Sequence, residues 1–185
     1  LPFGAFTKDG TYFEGDVIRE KKPKLMLSGA FQQNNHARRT QGQLGNDLFE
    51  TRTMKSVLLD GMFKYNGWAA MASYMSRTTN ENAITFNPDD LTESNYAFVG
   101  NGFDYQLSYN TKKNYEIIGR NSIQKVGNDI ETKAPNTKQY SFGVTKYIWE
   151  HTFKLQGEIN YDTLDFYNGT TKNNWYVRFQ VEIGI

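Results

Sequence analysis

The sequence predicts an all-β fold, an antiparallel up-and-down transmembrane β-barrel of about eight strands. Three observations predict it. Apolar and polar residues alternate with a period of two in segment after segment. The best of these segments runs to about eleven residues, twice a usual globular strand and close to the span of a transmembrane β-strand. Short connections take turns with long polar ones, as in a meander whose two ends are unequal.

The final segment shows the pattern most clearly. Trp175, Val177, Phe179, Val181, Ile183 and Ile185 share one face, and Tyr176, Arg178, Gln180, Glu182 and Gly184 share the other. Residues 152–162 set Phe153, Leu155, Ile159 and Tyr161 against Lys154, Gln156, Glu158 and Asn160. Residues 139–147, 115–123 and 103–110 repeat it with Tyr140, Phe142, Val144, then Tyr115 and Ile117, then Phe103, Tyr105, Leu107 and Tyr109. Residues 54–65 set Val57, Leu59, Phe63 and Tyr65 against Ser56, Asp60 and Lys64, while 24–33 and 68–77 alternate less cleanly.

The hairpin 54–77 carries its own register. Asn66-Gly67 suits a two-residue type I′ turn, because both positions need positive φ. That pairs Tyr65 with Trp68, Lys64 with Ala69 and Asp60 with Ser73, and sets Arg77 beside Ser56. The other short connections are 111–114 and 148–151. The long ones are 34–53, 79–95, 125–137 and 163–174. Tyr65, Trp68, Tyr109, Tyr115, Tyr147, Trp149 and Phe153 gather near the short-turn end, as in an interfacial girdle.

Composition closes off several classes. The chain has 185 residues, a net charge of +1 and no Cys. A disulfide scaffold and a thiolate metal site are excluded. Near-neutral charge argues against a nucleic-acid partner. Twelve Tyr, thirteen Phe and three Trp are too many for a disordered chain. No apolar run is long enough for a transmembrane helix. The chain opens Leu1-Pro2-Phe3-Gly4, without an initiator Met or a signal peptide. The expectation is a missing start, with residues 1–22 an outer loop or strand edge continuing from it, and residues 1–185 the C-terminal portion of one barrel domain.

Alternating strands also build lipocalin-like barrels and sandwiches, whose apolar faces fill a core. The two readings turn the same side chains in opposite directions. In lipid the apolar face points out and the polar face lines the lumen, and strand length, loop alternation and aromatic placement favour that assignment.

From Pro23 to Ile185 the chain resembles the C-terminal half of a phosphate-selective porin O and P family member. The stretches that carry this are Tyr12-Phe13-Glu14-Gly15-Asp16, Arg39-Thr40-Gln41-Gly42-Gln43-Leu44-Gly45, Phe63-Lys64-Tyr65-Asn66-Gly67-Trp68 and Val99-Gly100-Asn101-Gly102-Phe103. Asn114-Tyr115-Glu116-Ile117-Ile118-Gly119-Arg120 and Val177-Arg178-Phe179-Gln180-Val181-Glu182 complete them. The resemblance implies a trimeric outer-membrane porin of roughly sixteen strands, of which about half is absent here. It also implies small anionic, phosphate-like solutes passing by diffusion, and contact with outer-membrane lipid and lipopolysaccharide. One departure is the end of the chain: such barrels commonly close on an aromatic residue, and here it is Ile185.

The expected pore lining is Arg52, Lys64, Arg77, Arg120, Lys154 and Arg178 against Asp60, Asp104, Glu116, Glu158 and Glu182. These charges cannot cheaply face lipid. Six against five is nearly balanced, whereas an anion filter needs a ladder of uncompensated Arg or Lys. Paired charges stiffening the wall are the simpler reading. Lys55 and Lys146 fall on the apolar face near strand ends, where snorkelling explains them. The loop 34–53 is a candidate constriction through Arg38 and Arg39, or an exposed outer loop. Pro88-Asp89-Asp90 reads as a turn, without the ligand series of a calcium loop.

Catalysis and cofactors find no support. His36 lies in a long connection and His151 in a short one at the other end, so they share no site. No G-x-S-x-G, H-E-x-x-H or P-loop is present. Gly100-Asn101-Gly102 precedes no helix, Asn168-Gly169-Thr170 reads as a loop tip, and Glu116 with Asp104 reads as lumen charge. The remaining alternatives are a non-conducting accessory barrel in an envelope complex and a soluble lipocalin-like carrier.

Overall fold

The computed structural model describes residues 2–3, 5–6 and 14–184, with Pro2 and Phe3 described by backbone alone. Leu1, Tyr12, Phe13 and Ile185 lie outside the described residues, and with them part of one resemblance motif and the chain end.

Eight long strands form one antiparallel up-and-down sheet: β2 (Lys24–Arg39), β3 (Asp47–Tyr65), β4 (Trp68–Thr79), β7 (Gly100–Asn110), β8 (Tyr115–Val126), β9 (Asn136–Trp149), β10 (Phe153–Asp165) and β11 (Thr171–Ile183). A two-residue strand, β1 (Pro2–Phe3), pairs with Met26 and Leu25 at one edge. A small hairpin, β5 (Ile84–Phe86) with β6 (Ser94–Tyr96), lies between β4 and β7. One 3-10 turn, Asn128–Ile130, lies between β8 and β9. Each long strand pairs with its sequence neighbour across the sheet, but β11 does not pair back onto β1 or β2. The sheet is open, and the expected barrel closure is not formed among the described residues.

The Asn66-Gly67 hairpin has the expected register: Tyr65 opposes Trp68, Lys64 opposes Ala69, Asp60 opposes Ser73 and Ser56 opposes Arg77. Asn66 and Gly67 take φ of 48° and 91°, the left-handed pair that a type I′ turn requires.

The strands outrun their apolar stretches. β2 reaches Arg39 and β3 begins at Asp47, so the expected loop 34–53 is mostly paired strand, with register shifts after Asn34 and Ala37. β10 reaches Asp165 and β11 starts at Thr171, leaving only 166–170 as connection. Period-two amphipathicity locates the part of a strand facing two different media, whereas backbone pairing continues into water with polar residues on both faces. His36 consequently sits in β2 rather than in a loop, at φ 54° beside a bulge.

The two faces differ in the sense opposite to a water-soluble protein. Leu27, Phe31, Leu59, Phe103, Leu107, Ile117, Phe142, Ile159, Trp175, Val177 and Phe179 are all exposed. They sit in rows across the sheet, such as Ile117 opposite Val144 and Ile159 opposite Val177. Gly119 faces Phe142 and Gly157 faces Phe179, small against large. The buried side chains are instead polar: Ser56, Lys64, Ser108, Asn110, Glu116, Thr145 and Asn160. Of ten buried apolar residues described, five are alanines. Among the described residues no core of large side chains stands behind this sheet.

Candidate functional site: the polar face of the sheet

The polar face is built in rows, because every second residue of neighbouring strands falls at one level. Asp60, Ser73, Asp104, Ser122, Gln139 and Asp162 form one row. Gln106, Arg120, Ser141, Asn160 and Tyr176 form the next towards the short turns. Both ends of this face are covered by chain.

At the short-turn end residues 14–20 lie across the sheet. Asp16 accepts from the N–H of Gly67 at 2.6 Å and from that of Glu20 at 3.0 Å. Glu20 O accepts from Asn66 N at 2.8 Å, and Lys64 Nζ donates to Gly15 O at 3.0 Å. Arg19 donates to Asn66 O at 2.7 Å and to Asn110 O, and stands over the Tyr109 ring. A Cβ on Gly15 would come within 2.6 Å of Glu116 Oε1, so a larger residue there would have to displace the Glu116 carboxylate. Tyr147 donates its hydroxyl to Glu116 Oε2. Residues 14–20 therefore sit at the short-turn end, not among the long connections where an outer loop would lie. Lys64 and Glu116, each 1% exposed, are on the polar face as expected but sealed beneath that segment rather than lining open lumen. Tyr147 leaves the aromatic girdle for the same reason: it falls on the polar face and is buried.

His151, in the turn 150–152, sits beside Tyr147 with ring centroids 5.2 Å apart. Burial, then the charges of Lys154 and Lys64, lower its pKa from the usual 6.5 to about 4. It is neutral at pH 7.

At the opposite end the chain between β4 and β7 folds over the ends of β2 and β3. Ala83, Ala97, Val99 and Ile130 pack on Ala37 and Met54. Arg52, 6% exposed, holds this connection in place. It donates to Asn82 O at 2.8 Å and Ile84 O at 3.4 Å and meets Glu50 and Glu81. Asp129 accepts from Ala83 N at 3.1 Å, and Phe98 N donates to Thr40 O at 2.7 Å. Arg52 is thus an anchor and not an open pore charge. The inward-folded element is the β5–β6 connection. Arg38 and Arg39 lie in β2, both exposed, with Arg39 paired to Asp47 at 3.4 Å. Pro88-Asp89-Asp90 forms the tip of that hairpin, where Thr92 N–H and hydroxyl bond Asp90 and hold it below the usual carboxylate range.

Between the two covers the wall charges neutralise one another. Arg120 meets Asp104 at 2.8 Å, Arg178 meets Glu158 at 3.2 Å, and Lys154 meets Glu182 at 3.0 Å. The last two are direct cross-strand partners, the geometry in which opposite charges help a sheet. Arg77 donates to Ser56 at 3.1 Å and Ser28 donates to Asp60 at 3.4 Å. Lys146 does not need to snorkel: it donates to Lys113 O at 2.7 Å and lies over the Tyr115 ring. Lys55 is in mid-strand, because β3 runs back to Asp47. Ten residues, about 33 Å of strand, separate it from the turn, so it is not at the strand end that snorkelling assumed.

Sequence reasoning missed Gly15, Asp16, Arg19 and Glu20 as parts of the site. Their only signal is an acidic and glycine-containing stretch without periodicity. Among the described residues no group of His, Asp and Glu is arranged to hold a metal ion. No described helix is long and apolar enough to cross a membrane. Comparison with protein-family models, with curated proteins and with solved structures finds no match to this chain.

Proposed function

We propose that the chain forms part of an outer-membrane porin wall and passes small hydrophilic solutes by passive diffusion. The observation that carries this is the inverted sheet: large apolar side chains are exposed on one face while amides, hydroxyls and paired charges occupy the other. In water such a face far exceeds the few hundred Å² that a soluble monomer tolerates. In a bilayer it costs nothing, and the polar face supplies a wetted wall that replaces bulk hydration. A lipocalin-like carrier needs the reverse, apolar side chains around its cavity. The free edge of β11 and the edge of β2 beyond the two residues that β1 covers fit the same reading, since a spanning sheet must be closed by further strands. The resemblance implies a homotrimer and a phosphate-like anion. Arg120, Arg178 and Lys154 are paired with carboxylates and Arg77 is bonded to Ser56, so the wall supports entry through hydrogen bonding more than through net positive charge.

A second reading has one observation in its favour. Both ends of the polar face are covered, as in a non-conducting barrel that serves an envelope complex. Planar-bilayer recording with a salt gradient separates the two. Steady conductance from inserted, folded protein supports the porin. Silence from such protein supports the accessory barrel.

A further inference from the structure

Five strands, β7 to β11, bend around one polar cavity of about 240 Å³. It lies between the two covers, and the cross-strand pair Gly143 and Ile118 is part of its lining. We propose that this cavity binds an uncharged polyhydroxylated solute of about monosaccharide size. The inference rests on the porin reading for its biological sense and names the solute class of that wall.

The lining chemistry carries it. Three glutamines, Gln106, Gln139 and Gln156, line it from three strands and at different levels, with Ser141, Asn160 and Tyr176 beside them. An amide offers two donors and an acceptor with two lone pairs. Gln139 Nε2 donates to Asp162 at 2.8 Å and to Tyr176 at 3.2 Å, and Gln156 Nε2 donates to Thr145 at 3.3 Å. These bonds hold the amides in place and leave their carbonyl oxygens as acceptors for solute hydroxyls. A sugar hydroxyl both donates and accepts, so it matches a wall of amides and hydroxyls. Tyr176 adds a hydroxyl, and its ring carries the Arg178 guanidinium 5.8 Å from the centroid.

The charges argue the same way. The cavity's two cations, Arg120 and Arg178, are each engaged by a carboxylate, Asp104 and Glu158, and a further carboxylate, Glu14, lines it. A phosphate entering here would meet those carboxylates as well as the guanidinium groups. Coulomb attraction and repulsion of comparable reach leave no net anion site. The volume is below the roughly 300–1,000 Å³ of drug-sized ligand sites, which limits the occupant to one small ring.

The test uses the whole folded protein with glucose and inorganic phosphate as probes. Saturation-transfer NMR in detergent reads glucose contact without needing a pore, and bilayer recording reads current. The expected result is glucose contact and a saturable glucose reduction of current, with no phosphate block. Gln139→Ala and Gln156→Ala should each raise the half-effect concentration about 3- to 10-fold, the range for one lost hydrogen bond. Glu158→Gln unpairs Arg178 and should create phosphate block where there was none, a gain that misfolding cannot mimic. Conductance without glucose contact, phosphate block in the unmodified protein, or no gain with Glu158→Gln overturns the inference and leaves the porin. Glucose contact without conductance overturns the porin and leaves the site.

Discussion

Asp16 accepts a hydrogen bond from the backbone of Gly67 at 2.6 Å, across 51 residues of sequence. The contact closes the type I′ turn from outside. The same carboxylate also takes the N–H of Glu20, so one buried group ties residues 14–20 to the mouth of the sheet. Gly67 is required there twice: its φ is 91°, and a Cβ would come 2.6 Å from Asn110 O.

Asp16→Ala should release that segment. A hydrogen bond to a charged group contributes roughly 1.5–3 kcal/mol, so trypsin cleavage at Arg19 and Lys21 should speed up about ten- to a hundredfold. In bilayers the same variant should conduct more than the parent. Unchanged proteolysis would show that the segment is held by something else.

Lys64 is buried with Asp16, Glu20 and Glu116 around it, and its amine reaches Gly15 O. Lys64→Met strands the carboxylates and should cost about 3–5 kcal/mol. Adding Glu116→Gln keeps an acceptor for Tyr147 and should recover part of the loss. A double-mutant cycle in urea reads the coupling. Strict additivity would mean that the two side chains do not interact.

His151 makes stability depend on pH. Its folded pKa is lowered to about 4 while the unfolded chain takes up the proton near 6.5. The unfolded state therefore binds more protons between those values, and stability falls as pH drops from about 6.5 to about 4. Below 4 the effect levels off. His151→Phe should flatten this part of the profile, read as the difference in unfolding midpoint between pH 7.5 and pH 4.5. Parallel profiles for the two proteins would rule the histidine out.

Ile159 lies mid-strand on the apolar face and is exposed. Ile159→Arg should cost about 2–4 kcal/mol in a bilayer and far less near the strand ends. Guanidinium unfolding in lipid vesicles measures it. A cost near zero would place this face in water.

Some of this was legible in the sequence for a plain reason. The eight long strands announce themselves because each separates two media, and Asn66-Gly67 sets a register that Ser56 and Arg77 then confirm by their 3.1 Å bond. The strand extensions around Arg39 and Thr171 carry no such signal, since both faces there are polar. Tyr147 was misplaced by counting aromatics near a turn instead of following parity, which puts it opposite Lys154 on the polar face. The docking of residues 14–20 depends on contacts with residues about 50 and 100 positions away, and no local pattern encodes such contacts. The anchoring role of Arg52 was hidden likewise, because its acceptors are backbone carbonyls of a distant connection.

The chain contains no Cys, which makes one measurement especially direct. Single cysteines at positions 175–181 of β11 are reacted with a water-soluble maleimide after reconstitution in vesicles. The account predicts alternation: replacements of Tyr176, Arg178 and Gln180 react, and replacements of Trp175, Val177, Phe179 and Val181 do not. Equal reaction on both faces would contradict it, because the apolar face would then stand in water.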